Sequence, residues 1–150
     1  MRYIKMFASL VMLVFLLTTA VSVQAAASDD WVWISSDSKY SKYYSPARVR
    51  VLDSYGGIAT HIEAWTKTSY SYEGAVETIA NYEIQSVLDP SRLSYSLARI
   101  EINPQNRTLE YAQEDFYDTN GNVVWSKLYN PRTVKEINSQ AFDEAFYTAI

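Results

Sequence analysis

Cysteine is absent from all 150 residues of this chain. Its absence excludes disulfide bonds, thiol chemistry and zinc sites with cysteine ligands. Small exported animal domains usually depend on disulfides, so an exported chain without cysteine is more typical of a bacterial cell envelope. A bacterial lipid anchor also needs a cysteine after the signal sequence. If the chain is exported, the missing cysteine therefore predicts that it is not a lipoprotein.

Glycine and histidine are also scarce, with four glycines and one histidine in the chain. Glycine-rich loops that bind phosphate are missing from the sequence. A serine nucleophile needs a base, but the sole histidine is His61 and there is no Gly-x-Ser-x-Gly elbow. Two acidic residues could converge for glycoside hydrolysis, yet nothing singles out a pair. The sequence predicts a non-enzymatic protein with no catalytic residue, metal or cofactor.

The N-terminus has the three-part layout of a secretory signal peptide. Arg2 and Lys5 precede an apolar run over residues 6–20, and small residues follow. A permanent membrane anchor is the alternative, because the apolar stretch approaches the roughly 20 residues of a spanning helix. The small residues before Asp29 favour cleavage instead.

Two cleavage sites satisfy the small-x-small rule, one after Ala25 and one after Ala27. We expect a signal peptide at 1–25, a single domain at 26–150 and no membrane span after cleavage. The mature protein is then located in the periplasm or on the surface of a bacterium.

The mature chain is acidic. Loss of Arg2 and Lys5 reduces the 13 basic residues to 11, against 17 acidic ones, so the net charge becomes −6. Binding to nucleic acid depends on cationic contacts with phosphates. The charge therefore predicts that nucleic acid is not a partner.

Most of the mature chain alternates apolar and polar residues, which is typical of strands. Residues 48–70 predict a hairpin that turns at Gly56-Gly57, and residues 107–129 predict a second that turns at Asn120-Gly121. Further strands are predicted at 92–102 and in the short aromatic stretches 30–37 and 39–45.

Two segments have helical periodicity instead. In the first, Tyr72, Val76 and Ile79 follow the i, i+4, i+7 spacing of one helical stripe. The second begins after Ser139, a residue suited to an N-cap. The predicted apolar face of this C-terminal helix consists of Phe142, Ala145, Phe146, Ala149 and Ile150.

Together these segments predict an α+β fold. We expect an antiparallel sheet of about six strands with one internal helix and a C-terminal helix packed on the sheet, preceded by the signal peptide. The exposed edges of such an open sheet permit a homodimer through strand pairing.

His61 lies in a predicted strand, and the face of that strand on which its side chain lies indicates whether it belongs to an active site. Alternate strand residues share a face, so His61, Glu63 and Trp65 lie on one side. We expect His61 and Glu63 to point to solvent and Trp65 to be partly covered. A His-x-Glu zinc deaminase site would also need a Pro-Cys-x-x-Cys segment, which is missing. The predicted core face of the strand is Ile58, Thr60, Ile62, Ala64 and Thr66.

Asp118, Asn120 and Asn122 match the first three ligand positions of a calcium loop. The sixth position, which requires glycine, is Val123, and the twelfth, which requires glutamate, is Tyr129. The turn of a hairpin explains the same residues.

Aromatic residues are abundant, since the mature chain keeps all four tryptophans and twelve of the 13 tyrosines. Sheet stabilisation is one interpretation. The other is a binding surface, because tyrosine and tryptophan are enriched where proteins meet. The densest group is Tyr40, Tyr43 and Tyr44, with Trp31 or Trp33 nearby. Alternation places Tyr40 and Tyr44 on one face and Tyr43 on the other.

Several stretches together are similar to the small exported bacterial proteins of the surface-adhesin protein E family. They span residues 31–150 and read "WVWISS", "YYSPARVRV", "IEAWTKTSY", "LSYSLARIEI", "FYDTNGNVVWS" and "VKEINSQAFDEAFYTAI". The resemblance implies a bent antiparallel sheet with a C-terminal helix, display at the outer membrane, and attachment to host matrix or plasma proteins. The best-known members resemble lipid-anchored proteins, whereas this chain has no cysteine to carry a lipid. No binding residue transfers by position.

We therefore expect an exported, non-enzymatic cell-envelope protein, a surface-adhesin-like module that binds host proteins or other envelope proteins. The alternative is a periplasmic structural or accessory domain, and the least favoured is a small hydrolase. Fold alone does not decide between them.

Overall fold

The computed structural model describes residues 30–138 and 142–150. The predicted signal peptide, both of its cleavage sites and Ser139 lie outside the described residues. Within the described ranges, no helix is both long and apolar enough to cross a membrane. The predicted α+β fold is confirmed, since this part of the chain forms an antiparallel sheet with two α-helices.

Within the described residues, eight strands form the sheet, whose main path has the order β1-β2-β4-β5-β6-β7. The first half of β4 also pairs with β3, and the first half of β6 pairs with β8. The strands are β1 (Val32–Ser36), β2 (Tyr40–Tyr44), β3 (Arg50–Tyr55), β4 (Ile58–Tyr70), β5 (Tyr95–Asn103), β6 (Thr108–Tyr117), β7 (Val123–Leu128) and β8 (Val134–Glu136).

The predicted number of about six strands is too small. The strand most easily missed is β8, because three residues are too few to show alternation. Its pairing depends on the backbone of β6, where Leu109 lies opposite Lys135. β4 is long enough to pair with two short strands, β3 and β2, one after the other along the same edge. The number of strands therefore increases although the sheet does not become wider.

Both predicted hairpins are confirmed. Gly56 and Gly57 have φ angles of +60° and +80°, and Gly121 has +80°. A side chain is rarely accommodated at such angles, so these glycines allow the tight turns. The first turn joins β3 to β4, and the second joins β6 to β7.

The internal helix, α1 (Tyr72–Asn81), is confirmed, but its predicted apolar stripe is wrong. Ile79 is buried, whereas Tyr72 is 67% exposed and Val76 is 43% exposed. The buried residues are Gly74, Ala75, Thr78 and Ile79. Small residues face the sheet because the first turn approaches the backbone of Lys39 closely. Ser71 caps the helix, accepting a hydrogen bond from the Gly74 amide at 3.2 Å.

The C-terminal helix, α2 (Phe142–Ala149), packs on the sheet as predicted. Phe146 is fully buried, and Ile150 packs against the same cluster. Ala145 and Ala149 are exposed, so that part of the predicted face is wrong. Tyr147 contributes to the cluster instead. The Phe142 side chain lies outside the described side chains.

Both helices pack on one side of the sheet, which we call the inner face. The first hydrophobic cluster surrounds Phe146 of α2, and the second surrounds Ile79 of α1 and Phe116 of β6. Ile62, Ala64 and Thr66 of β4 face inward as predicted. Ile58 is 65% exposed, because it borders the hairpin turn beyond the reach of either cluster.

Candidate functional site

His61, Glu63 and Trp65 lie on the opposite side of the sheet, the outer face, as predicted for alternate residues of β4. The expectation that Glu63 is solvated is wrong, because this residue is 4% exposed. Arg50 donates to Glu63 through Nε at 3.1 Å and also through Nη2, and Arg99 donates to Glu63 Oε2 at 3.1 Å. The hydrogen bonds from Arg50, followed by those from Arg99, lower the pKa of Glu63.

His61 is half-exposed and lies in a shallow cleft of the outer face. Its Nε2 atom is 3.0 Å from Glu101 Oε2. Arg132 contacts the same carboxylate at 2.6 Å, and Arg99 approaches Glu101 Oε1 at 3.9 Å. Glu110 also lines this cleft of about 260 Å³. Glu101 is therefore shared by three basic side chains rather than dedicated to the histidine.

Aromatic rings and cations alternate along another part of the outer face. Lys67 Nζ lies 4.7 Å from the ring centroid of Tyr95 and 6.0 Å from those of Tyr43 and Trp31. Tyr95 in turn stacks on Tyr117, with centroids 4.7 Å apart. These distances fit cation–π contacts, which are stronger for tryptophan and tyrosine than for phenylalanine.

Arg48 extends the same surface, with its Cζ 5.9 Å from the Trp31 ring and 5.5 Å from the Trp65 ring. Trp65 is thus partly covered, as predicted. Trp33 is opposite Tyr43 in the strand register and is 60% exposed. We call the following residues the outer aromatic patch: Trp31, Trp33, Tyr43, Arg48, Trp65, Lys67, Tyr95 and Tyr117.

The tyrosines of β2 are divided between the faces as predicted. Tyr43 belongs to the outer aromatic patch, whereas the Tyr44 ring lies 6.4 Å from that of Phe146 on the inner face. Tyr40 also faces inward, with its ring 6.0 Å from that of Tyr70. The inner tyrosines therefore contribute to a different site from Tyr43.

The inner face has a polar pocket between its two hydrophobic clusters. Its floor is made by Thr66, Thr68 and Ala98. Thr66 pairs directly with Ala98, and Thr68 pairs with Ser96, so the centre of the sheet carries small side chains. The pocket has a volume of about 200 Å³. We call it the inner pocket, and its tyrosine walls are Tyr40, Tyr70, Tyr82, Tyr111 and Tyr129.

A buried carboxylate forms one side of the inner pocket. Glu114 is 7% exposed and lies beside Ala98 in the strand register. Its Oε1 accepts from the Ser96 hydroxyl at 2.8 Å, and its Oε2 accepts from Tyr82 at 2.5 Å and Tyr129 at 3.1 Å. Hydroxyl donors of this kind offset the cost of burying a carboxylate.

Three of the pocket tyrosines, Tyr70, Tyr82 and Tyr129, are held in their neutral form. Burial raises the pKa of Tyr70 and of Tyr82 far above the usual range, and the Glu114 charge adds to this effect. Burial likewise raises the pKa of Tyr129 to about 12. These hydroxyls remain hydrogen-bond donors and acceptors at neutral pH.

Two lysines complete the inner pocket. Lys42 Nζ lies 5.8 Å from the Tyr40 ring centroid, and Lys135 Nζ lies 5.0 Å from that of Tyr111. The pocket therefore presents one carboxylate, two ammonium groups and several hydroxyls. One hint of the pocket was visible in the sequence, since small and polar residues occupy inward positions at the centre of β4 and β5.

The hairpin interpretation of Asp118 is confirmed. Asp118 Oδ1 accepts from the backbone amides of Asn120 and Asn122, each at 2.9 Å. The hydrogen bond from the Asn122 amide, with further ones from its side chain and Asn120, lowers the pKa of Asp118. In the described part of the chain, no three His, Cys, Asp or Glu side chains are grouped so as to hold a metal ion.

Comparisons with protein families, curated proteins and solved structures find no match to this chain. The resemblance to surface-adhesin protein E therefore remains a prediction from the sequence.

Proposed function

We propose that this chain is an exported, non-enzymatic protein of a bacterial cell envelope that binds other proteins through its outer aromatic patch. The favoured partners are host matrix or plasma proteins, as the family resemblance implies. Other envelope proteins are the alternative partners.

The observation that carries this proposal is a cluster of tryptophan, tyrosine and basic side chains on a sheet face that both helices leave open. Trp33 is exposed and the other members of the outer aromatic patch are half-buried. Tryptophan, tyrosine and arginine are the residues most enriched at the energetic centres of protein interfaces. Trp33 is 60% exposed, and Arg48 and Lys67 hold their charges over neighbouring rings. A partner with acidic side chains among apolar ones would complement such a surface.

Surface plasmon resonance tests the proposal with residues 26–150 and a panel of extracellular-matrix and plasma proteins. We expect saturable binding at micromolar concentration to at least one of them. Trp33→Ala should weaken this binding about tenfold or more, as expected for an exposed aromatic contact. The matched control is Tyr55→Ala, since Tyr55 is 82% exposed at the β3–β4 hairpin, away from the patch. Failure of the whole panel to bind would remove the host-adhesion proposal.

Location separates a surface protein from a periplasmic one. Protease or antibody should reach the protein on intact cells if it is displayed at the surface. Protection on intact cells, with digestion only after the outer membrane is permeabilised, would favour a periplasmic structural or accessory domain.

A small hydrolase is the second candidate function, and the pairing of His61 with Glu101 in a cleft favours it. A histidine oriented by a carboxylate can serve as a general base. Against this, Arg132 and Arg99 compete for the same carboxylate. Turnover of model ester or glycoside substrates that is abolished by His61→Ala would establish the hydrolase and contradict the non-enzymatic proposal.

A further inference from the structure

We propose that the inner pocket binds a neutral polyhydroxylated ring, such as one sugar unit of a glycan. This inference is independent of the outer aromatic patch, because the two sites lie on opposite faces of the sheet. It depends on the charges, the hydroxyl groups and the size of the inner pocket.

The lining carries charges of both signs, which disfavours ligands that carry a single charge. A cation would meet the ammonium groups of Lys42 and Lys135, and an anion would meet the buried carboxylate of Glu114. Both encounters place like charges close together in a pocket walled by protein, where they repel more strongly than in bulk water. A neutral ligand that both donates and accepts hydrogen bonds can use all three groups without introducing a charge.

Sugar hydroxyls match these groups one by one. Glu114 Oε2 accepts hydrogen bonds from the Tyr82 and Tyr129 hydroxyls, whereas Oε1 accepts one from the Ser96 hydroxyl. Of these three hydroxyl donors, only one therefore bonds to Oε1. A carboxylate can accept about four hydrogen bonds. A ligand hydroxyl can therefore donate to Oε1, while the lysine ammonium groups, which only donate, bond to ligand oxygens.

The size and walls of the pocket also fit such a ring. Its volume of about 200 Å³ is below the roughly 300–1,000 Å³ of sites for drug-sized ligands. Tyrosine rings give flat apolar walls with a polar edge, as with Tyr111 and Tyr129, whose centroids are 5.7 Å apart. The threonine hydroxyls on the floor make the pocket more polar than sites for apolar ligands.

Two-dimensional NMR of the folded chain tests the proposal, with glucose, galactose, mannose and N-acetylglucosamine as probes up to tens of millimolar. We expect at least one sugar to bind saturably, with chemical-shift changes centred on Thr66, Thr68, Ala98 and Glu114. Thr68→Val keeps the shape of the floor and removes one hydroxyl, so it should weaken that binding about tenfold. The matched control is Thr60→Val, the same change on the same face of β4.

A second variant tests the proposal even if Thr68→Val fails to fold. Lys135 is exposed at the rim, so Lys135→Met should leave the fold intact and still weaken sugar binding several-fold. Trp33→Ala should leave it unchanged, which separates this inference from protein binding by the outer face. Three results would overturn the proposal: no sugar binds, the shifts lie outside the pocket, or tetramethylammonium, acetate or glycine binds there at least as tightly.

Discussion

Gly74, in the first turn of α1, lies directly against the backbone carbonyl of Lys39. A Cβ atom at position 74 would overlap the Lys39 oxygen and also approach the Tyr40 ring at 3.3 Å. Gly74→Ala should therefore destabilise the protein by about 1–3 kcal/mol through overpacking, although alanine favours a helix by about 1 kcal/mol. Urea denaturation measures the difference. Stabilisation by the variant would show that α1 can move away from β2 at little cost.

Phe146 joins the C-terminal helix to the sheet. It is fully buried in the cluster that includes Ala64 and Ile100, and its ring contacts Tyr44 edge-on. Phe146→Ala should reduce the free energy of unfolding by about 3–5 kcal/mol, because it removes a large side chain and leaves a cavity. Thr148→Ala, at an exposed position of the same helix, should change it by less than about 0.5 kcal/mol. Similar midpoints of thermal unfolding for both variants would contradict the packing of α2.

The ionisation of Glu63 should make the free energy of unfolding depend on pH. Its folded-state pKa is lowered by Arg50 and Arg99, so its ionised form stabilises the fold above the usual carboxyl pKa of 4.5. This contribution is lost as the pH falls through the lower folded-state pKa. Glu63→Gln should cost about 1.5–3 kcal/mol at pH 7, the range for hydrogen bonds to a charged group.

The difference between wild type and Glu63→Gln should shrink as the pH falls from 4.5 into the acid range. Denaturant unfolding at several pH values measures it. The control is Glu110→Gln, a like change on the same face, which should show no comparable narrowing. A constant difference at all pH values would mean that the arginine pairs do not lower the pKa.

Local signals were enough to predict the hairpins, whereas the buried sides of the helices were not predictable from periodicity. A turn at Gly56-Gly57 depends on positive φ angles that glycine adopts more readily than other residues. The buried side of α1 depends on the approach to Lys39, a contact between segments far apart in sequence. That contact favours Gly74 and Ala75 over the larger Tyr72 and Val76.

The inner pocket escaped prediction for a related reason. β6 has a bulge where Ile100 pairs with Tyr111 but Arg99 pairs with Gln113. The extra residue reverses the alternation, so Tyr111 and Glu114 both face inward although strict alternation would place them on opposite sides. Bulges are rarely visible in a single sequence. The buried pairing of Glu63 was missed because it requires Arg99 from another strand.

The ionisation of Tyr129 should lower the free energy of unfolding in alkaline solution. Its pKa is raised from 10.0 to about 12 by burial, so between these values the unfolded chain loses the phenolic proton while the folded chain keeps it. The unfolded state then binds fewer protons, and the free energy of unfolding decreases with pH. The contribution of Tyr129 is therefore complete below pH 10.0 and lost as the pH rises towards about 12.

Tyr129→Phe should cost about 1.5–3 kcal/mol at neutral pH, through the lost hydrogen bond to the charged Glu114. The variant should lose less stability than wild type above pH 10.0. Denaturant unfolding at graded alkaline pH measures the slopes, with phenolate absorbance as an independent probe. The control is Tyr55→Phe, because Tyr55 is 82% exposed and should leave the slope unchanged. Parallel curves for wild type and Tyr129→Phe would mean that this hydroxyl is not buried beside Glu114, and the inner pocket would lose one of its walls.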